Sequence, residues 1–152
     1  MDAAAATTEA LDPHQIETLC AWCELLVPGA RAHGVGDFVR SQLSKPHAEA
    51  RLLLRYLGWP PPYGAFYAGG LAALDGASQQ AFGRPFIELS QAEQGQVLGG
   101  VMSGGLQWAG PPAELFYFLT RSDGVDVVYG TKEGFARLDF PYQPLIDPPS
   151  PW

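Results

Sequence analysis

The side chains best suited to chemistry in this chain are Cys20 and Cys23, set in Cys20-Ala21-Trp22-Cys23. Two thiols at this spacing serve disulfide exchange or supply half of a zinc site. Exchange calls for the first thiol at a helix N-terminus behind a strand, where the helix dipole lowers its pKa. Here the pair falls two turns inside a predicted helix, on its apolar face. These are also the only cysteines, 2 in all, so a four-thiolate site is excluded, and no His-x-x-x-His pair completes a mixed one. The pair reads as reduced core packing.

The other reactive side chains are dispersed. His14, His33 and His47 lack ligand spacing and fall at predicted helix starts or in loops, where each reads as a solvated or capping residue rather than a general base. Asp123 and Asp126 share a helix face at i, i+3, but with no third oxygen donor nearby they read as a solvated face rather than a cation site. Arg84 and Arg121 are able to take an anionic group, although a salt bridge to a carboxylate is the simpler reading of each. Gly34-Val35-Gly36 supplies two glycines of a dinucleotide fingerprint, with Val39 where the third should stand and no strand before it. There is no Gly-x-Ser-x-Gly elbow and no basic stripe with interleaved aromatics. The sequence therefore assigns no catalytic, cofactor-binding or metal-binding residue to this chain.

The elements that carry these residues are helical. Asp12-Pro13 opens a first helix, Asp12 accepting from first-turn N–H groups and Pro13 fitting the first helical position. Ile16, Leu19, Cys20, Cys23, Leu26 and Val27 form one apolar face, and Pro28-Gly29 stops the helix. Val35, Phe38, Val39 and Leu43 share a face of a shorter second helix that ends at Lys45-Pro46. A third helix is expected over residues 48–57, broken by the stiff Trp59-Pro60-Pro61-Pro62 connector. A longer helix over residues 63–82 carries Tyr67, Leu71, Leu74 and Ala81 on one side. Gly69 and Gly70 weaken it by about 1 kcal/mol each relative to Ala, which points to a neighbouring helix packed closely there. Ser90-Gln91-Ala92-Glu93 reads as a capping box ahead of Val97, Leu98, Val101 and Met102. A further helix runs from Ala113 to about Val128, although Val127-Val128-Tyr129 also favours strand. From Gly130 onwards Gly, Pro and aromatic residues dominate, and Pro141 to Trp152 is expected to be irregular. The reading is an all-α, compact multi-helix domain over residues 11–140, with a disordered N-terminus over 1–10 and an extended Pro-rich tail over 141–152.

Composition fits one domain, since 152 residues at 47% hydrophobic are enough to bury a single core. The net charge of −7 repels phosphate backbones and anionic membranes, so nucleic acid is excluded as a partner. Charged residues reach only 16% while aromatics reach 12%, a surface that suits cover by a partner protein. No stretch approaches the roughly 18 apolar residues of a membrane span, so direct membrane insertion is not expected. Met1 to Ala10 shows neither a Sec nor a twin-arginine signal. The expected location is cytoplasmic, or periplasmic if the chain is carried by a partner or has been processed.

Several elements in order resemble the gluconate 2-dehydrogenase subunit 3 family. They are Leu26-Val27-Pro28-Gly29-Ala30 followed by Gly34-Val35-Gly36-Asp37-Phe38-Val39, then Tyr67-Ala68-Gly69-Gly70-Leu71-Ala72-Ala73-Leu74-Asp75. Phe82-Gly83 with Phe86 and Leu89-Ser90 follow, and later Phe116-Tyr117-Phe118-Leu119 with Tyr129-Gly130. The resemblance spans about Leu11 to Trp152. It implies a non-catalytic small subunit that binds, and assists the assembly of, a large glucose-methanol-choline-type flavoprotein oxidising sugars or other alcohols. FAD is then expected in that partner and no cofactor in this chain. The sequence departs from the family in lacking the twin arginine and in continuing Tyr129-Gly130 as Thr131-Lys132-Glu133-Gly134-Phe135, where many relatives have Gly-Gly-Asn. The second departure points to a subgroup with a different substrate or partner, such as a cytoplasmic sugar or glycoside oxidoreductase.

The expected partner interface is Phe116, Tyr117, Phe118, Arg121, Tyr129, Phe135, Tyr142 and Trp152, since aromatic anchors dominate such contacts. Completion of the domain's own core remains open for Phe116 and Phe118, and for the tail. The rival readings are a stand-alone enzyme or small-ligand binder with Tyr63, Tyr67 and Trp108 as pocket walls, and a helical adaptor with no enzyme partner.

Overall fold

The computed structural model describes residues 10–139, which fold into seven α-helices with no strand among them. The N-terminal residues and the Pro-rich tail, with Tyr142 and Trp152, lie outside the described residues.

Helix α1 (Pro13–Leu26) starts where the sequence places it. Asp12 accepts from the Gln15 backbone at 2.8 Å, and the Gln15 side chain accepts from the Asp12 backbone at 2.8 Å, completing a capping box. Its inner face holds Ile16, Leu19, Cys20 and Cys23, joined by Trp22, which is 1% exposed. Helix α2 (Val35–Leu43) follows after Gly34, whose φ of 81° is the left-handed backbone that glycine adopts without penalty.

The third expected helix is mostly not helix. Residues 48–57 divide into a 3-10 turn (His47–Glu49), an extended step through Ala50 and Leu52, and a single-turn α3 (Leu53–Tyr56). Side chains satisfy the backbone here in place of a helical ladder: Gln42 accepts from the Arg51 N–H at 2.8 Å, and the Arg55 guanidinium donates to the carbonyls of Ala48 and Ala50. Burial of Ala50 and Leu52, with the exposed Arg51 between them, matches this extended course.

Helix α4 (Tyr63–Phe82) keeps its expected bounds, but its inner face turns on Phe66, Tyr67, Gly70, Leu71, Leu74 and Ala77, while Ala81 is exposed. After a 3-10 turn (Phe86–Glu88), α5 (Gln91–Ser103) begins with the expected box, Ser90 accepting from the Glu93 backbone and Glu93 from the Ser90 backbone. Helix α6 (Ala113–Tyr129) runs through Val127-Val128-Tyr129 without a change to strand.

A seventh helix, α7 (Lys132–Arg137), stands inside the expected helical domain, in a stretch to which no element was assigned. Thr131 caps it by accepting from the Gly134 N–H at 3.0 Å, and Glu133 pairs with Arg137 at 3.2 Å. Gly134 allows the close return onto α6, since a Cβ there would lie 2.5 Å from the Val128 carbonyl oxygen.

Helix α1 lies at the centre, in contact with α2, α4, α5 and α6. Trp22 stacks on Phe116 of α6 with ring centroids 5.9 Å apart and meets Phe86 edge-on at 5.9 Å. These rings bring large apolar area and geometric preference to one spot, which fixes how the helices cross.

Candidate interaction surface

The residues that spacing singled out for chemistry are used to hold the helices together. Cys23 is fully buried and its thiol donates to the Thr120 carbonyl at 3.5 Å. Burial pushes both Cys20 and Cys23 above the ordinary thiol range, and the neighbouring Asp123 adds to the effect on Cys23. A reactive thiol needs the opposite shift.

Asp123 corrects an expectation. It is 2% exposed rather than solvated and accepts from the Tyr67 hydroxyl at 2.6 Å, joining α6 to α4. Burial raises its carboxyl to about 8, against the lowering effect of the Tyr67 hydrogen bond and with a further rise from Asp126. Asp126, three residues on and about 60° round α6, is exposed. The Tyr67 hydroxyl is likewise held well above its usual range by burial and by Asp123. A second buried bond joins α1 to α6, where the Trp22 indole donates to the Thr120 hydroxyl at 2.7 Å, and that hydroxyl donates to the Phe116 carbonyl at 2.7 Å.

His14 is half exposed near the start of α1 and lies 2.6 Å from Asp75 of α4; this hydrogen bond raises the imidazole above its ordinary value. His33 and His47 are half-buried, their Nε2 atoms turned away from solvent, and His47 packs edge-on to Tyr63 at 5.4 Å. Among the described residues there is no group of three or more His, Cys, Asp or Glu able to hold a metal. Arg84 makes the expected salt bridge, to Glu93 at 2.9 Å.

The rings proposed as pocket walls belong to the interior. Tyr63 and Tyr67 are 4% and 1% exposed, and Trp108 packs on Phe116 with centroids 5.5 Å apart. A cleft of about 380 Å³ does open beside α1, with Glu17, Glu24 and Arg31 on one side and Ile87, Gln91 and Gln94 on the other. Its charged groups already serve the fold: Arg31 pairs with Glu17 at 2.9 Å, and Glu24 accepts from the Gly29 and Arg31 N–H groups.

The expected interface residues divide between the two faces of α6. Phe116 is 0% exposed, stacked on Trp22 and pressed against Gly70, so its ring belongs to the core and has no face to offer a partner. Tyr117 is partly buried against the same core. Phe118 is 51% exposed and Tyr129 is 36% exposed, with Val125, 38% exposed, between them. On a helix these three positions fall in line, since steps of seven and four residues return to nearly the same angle. The line runs opposite the buried face of Phe116, Leu119, Asp123 and Val127. Arg121 is exposed beside it and forms no ion pair among the described residues. Phe135 is half-buried on α7, which packs on α6 next to Tyr129.

Val125 was not among the expected interface residues, although its spacing from Phe118 and Tyr129 puts it on the same line. Two further exposed side chains, Tyr56 at 65% and Leu57 at 55%, carry no such signal, because they end a segment expected to be one helix over residues 48–57. No helix among the described residues is long and apolar enough to cross a membrane.

A family model described as gluconate 2-dehydrogenase subunit 3 matches residues 13–147. No curated protein and no solved structure matches the chain.

Proposed function

The chain belongs to the gluconate 2-dehydrogenase subunit 3 family, and from that premise we propose that it is a non-catalytic small subunit. In this reading it docks on, and assists the folding of, a large FAD-dependent oxidoreductase of the glucose-methanol-choline type acting on sugars, glycosides or alcohols. FAD resides in that partner, and the complex is cytoplasmic.

The observation that carries the reading is the line Phe118–Val125–Tyr129 on the outward face of α6, with Arg121 beside it. A helix whose inner face is already packed gains nothing in its own fold from a second apolar face. Exposed aromatics flanked by an Arg are the composition of a contact with another protein. The groups able to do chemistry support the same reading: the Cys23 thiol, Asp123 and Tyr67 are committed to bonds between helices.

The test is purification of the tagged chain from its own host, followed by identification of co-purifying protein and a visible absorption spectrum. A flavoprotein in equal amount, yellow and active on a sugar or alcohol, is the expected result. A lone colourless chain overturns the reading. Cell fractionation of the same complex tests its location.

A further inference from the structure

The most exposed large apolar side chains of the described residues are Tyr56 at 65% and Leu57 at 55%, neighbours at the end of α3. Tyr56 is held in place. The Arg55 guanidinium carbon lies 4.6 Å from the centroid of its ring, and Arg55 is itself fixed by donating to the Ala48 and Ala50 carbonyls. Beyond Leu57 the chain turns at Gly58, whose φ is 75°, and returns the Trp59 N–H to the Leu54 carbonyl at 3.0 Å. Trp59 packs edge-on to Phe66 at 5.2 Å, and the exposed Pro60, Pro61 and Pro62 follow. The result is a rigid apolar projection with an aromatic ring at its tip.

The charge carried by this stretch of chain is the reverse of the whole. Residues 38–74 hold Arg40, Lys45, Arg51 and Arg55 against the single carboxylate Glu49, with Arg40 paired to Asp37 at 3.6 Å, in a chain whose net charge is −7. Arg51 is exposed and forms no ion pair among the described residues. A ring already immobilised loses little entropy on docking, and Tyr and Arg are, with Trp, the residue types enriched among those that dominate binding energy. An anionic membrane fits less well, because the net charge opposes it and Arg55 is fixed in directed bonds to backbone carbonyls.

We propose that the α3 surface, with Tyr56 as anchor and Leu57 and Arg51 around it, is a second docking site that seats an acidic face of the dehydrogenase subunit. This rests on the function proposed above. Helix α3 packs against α6, the helix that carries the first surface.

The test uses the full-length chain and its co-expressed dehydrogenase subunit, with Tyr56→Ala, Arg51→Glu and, as a control on a remote exposed side chain, Met102→Ala. Binding is measured at low and high salt, and amide hydrogen exchange is followed over Leu53–Tyr63 with and without the partner. Tyr56→Ala and Arg51→Glu are expected to weaken binding by about tenfold or more while unfolding midpoints stay at the wild-type value. Salt should weaken the wild type more than Arg51→Glu, and the amides of Leu53–Tyr63 should gain protection in the complex. Wild-type affinity in both variants, loss no greater than in Met102→Ala, or unchanged exchange over this segment overturns the second site while leaving the proposed function intact. Absence of any binding by the wild type overturns both.

Discussion

A Cβ added to Gly70 on α4 would sit 2.1 Å from the ring of Phe116 on α6. The two helices cross where one has no side chain and the other its largest buried ring, and that ring continues the contact onto Trp22 of α1. Gly70→Ala therefore forces a buried aromatic ring or a whole helix to move. A loss of about 1–3 kcal/mol or more is expected in urea unfolding. Gly76→Ala on the same helix meets nothing within 4 Å and should gain up to about 1 kcal/mol from helix propensity. Equal effects at the two positions would contradict this packing.

Asp123 predicts how stability changes with pH. Its folded carboxyl titrates near 8, against 3.8 for the free group, so between those values the folded chain binds the proton that the unfolded chain has released. Stability then falls as pH rises through this window, by up to about 1.4 kcal/mol per unit. Asp123→Asn keeps the shape and cannot ionise, so its unfolding free energy should vary less from pH 5 to pH 8 and exceed that of the wild type at the upper end. A parallel pair of profiles would show that Asp123 carries its charge without cost.

Phe116 and Phe118 are separated by one residue and by the thickness of a helix. Phe116→Ala opens a cavity in the core and should cost about 3–5 kcal/mol, read as a fall in the denaturation midpoint. Phe118→Ala and Tyr129→Ala should leave that midpoint within about 0.5 kcal/mol of wild type and weaken partner binding instead. Partner binding unchanged in both exposed variants would remove the α6 line from the interface.

The two thiols should be silent. Burial raises both above the ordinary range, and Cys23 is fully enclosed, so a thiol reagent at neutral pH should label neither in the folded chain and both in denaturant. Rapid labelling of the folded protein would show an opening that reaches the α1–α6 contact.

Much of this was legible along the chain. Asp12-Pro13 and Ser90 with Glu93 mark helix starts through bonds made within three residues of each other, so no tertiary information is needed to find them. Tyr63 to Phe82 is long enough, and free enough of breakers other than glycine, for local preference to decide its bounds. The same local rules failed over residues 48–57, where the Gln42 side chain from outside the segment and the Arg55 side chain within it satisfy backbone groups. They also missed α7, whose Thr131 cap is a local signal but whose close return onto α6 depends on Gly134.

The site divides in the same way. Residue type and spacing alone determined that the two cysteines and three histidines lack the pattern of a reactive centre, and that the aromatics of α6 recur often enough to reach both faces. Which ring lies on which face was decided by the angular position of α6 against α1 and α4. Phe116 and Phe118 have the same chemistry, and only packing against Trp22 and Gly70 makes one core and leaves the other for a partner. Asp123 shows the same division: its sequence neighbours are compatible with solvent, and only the approach of Tyr67 on α4, 56 positions away in the chain, turns it into a buried acid.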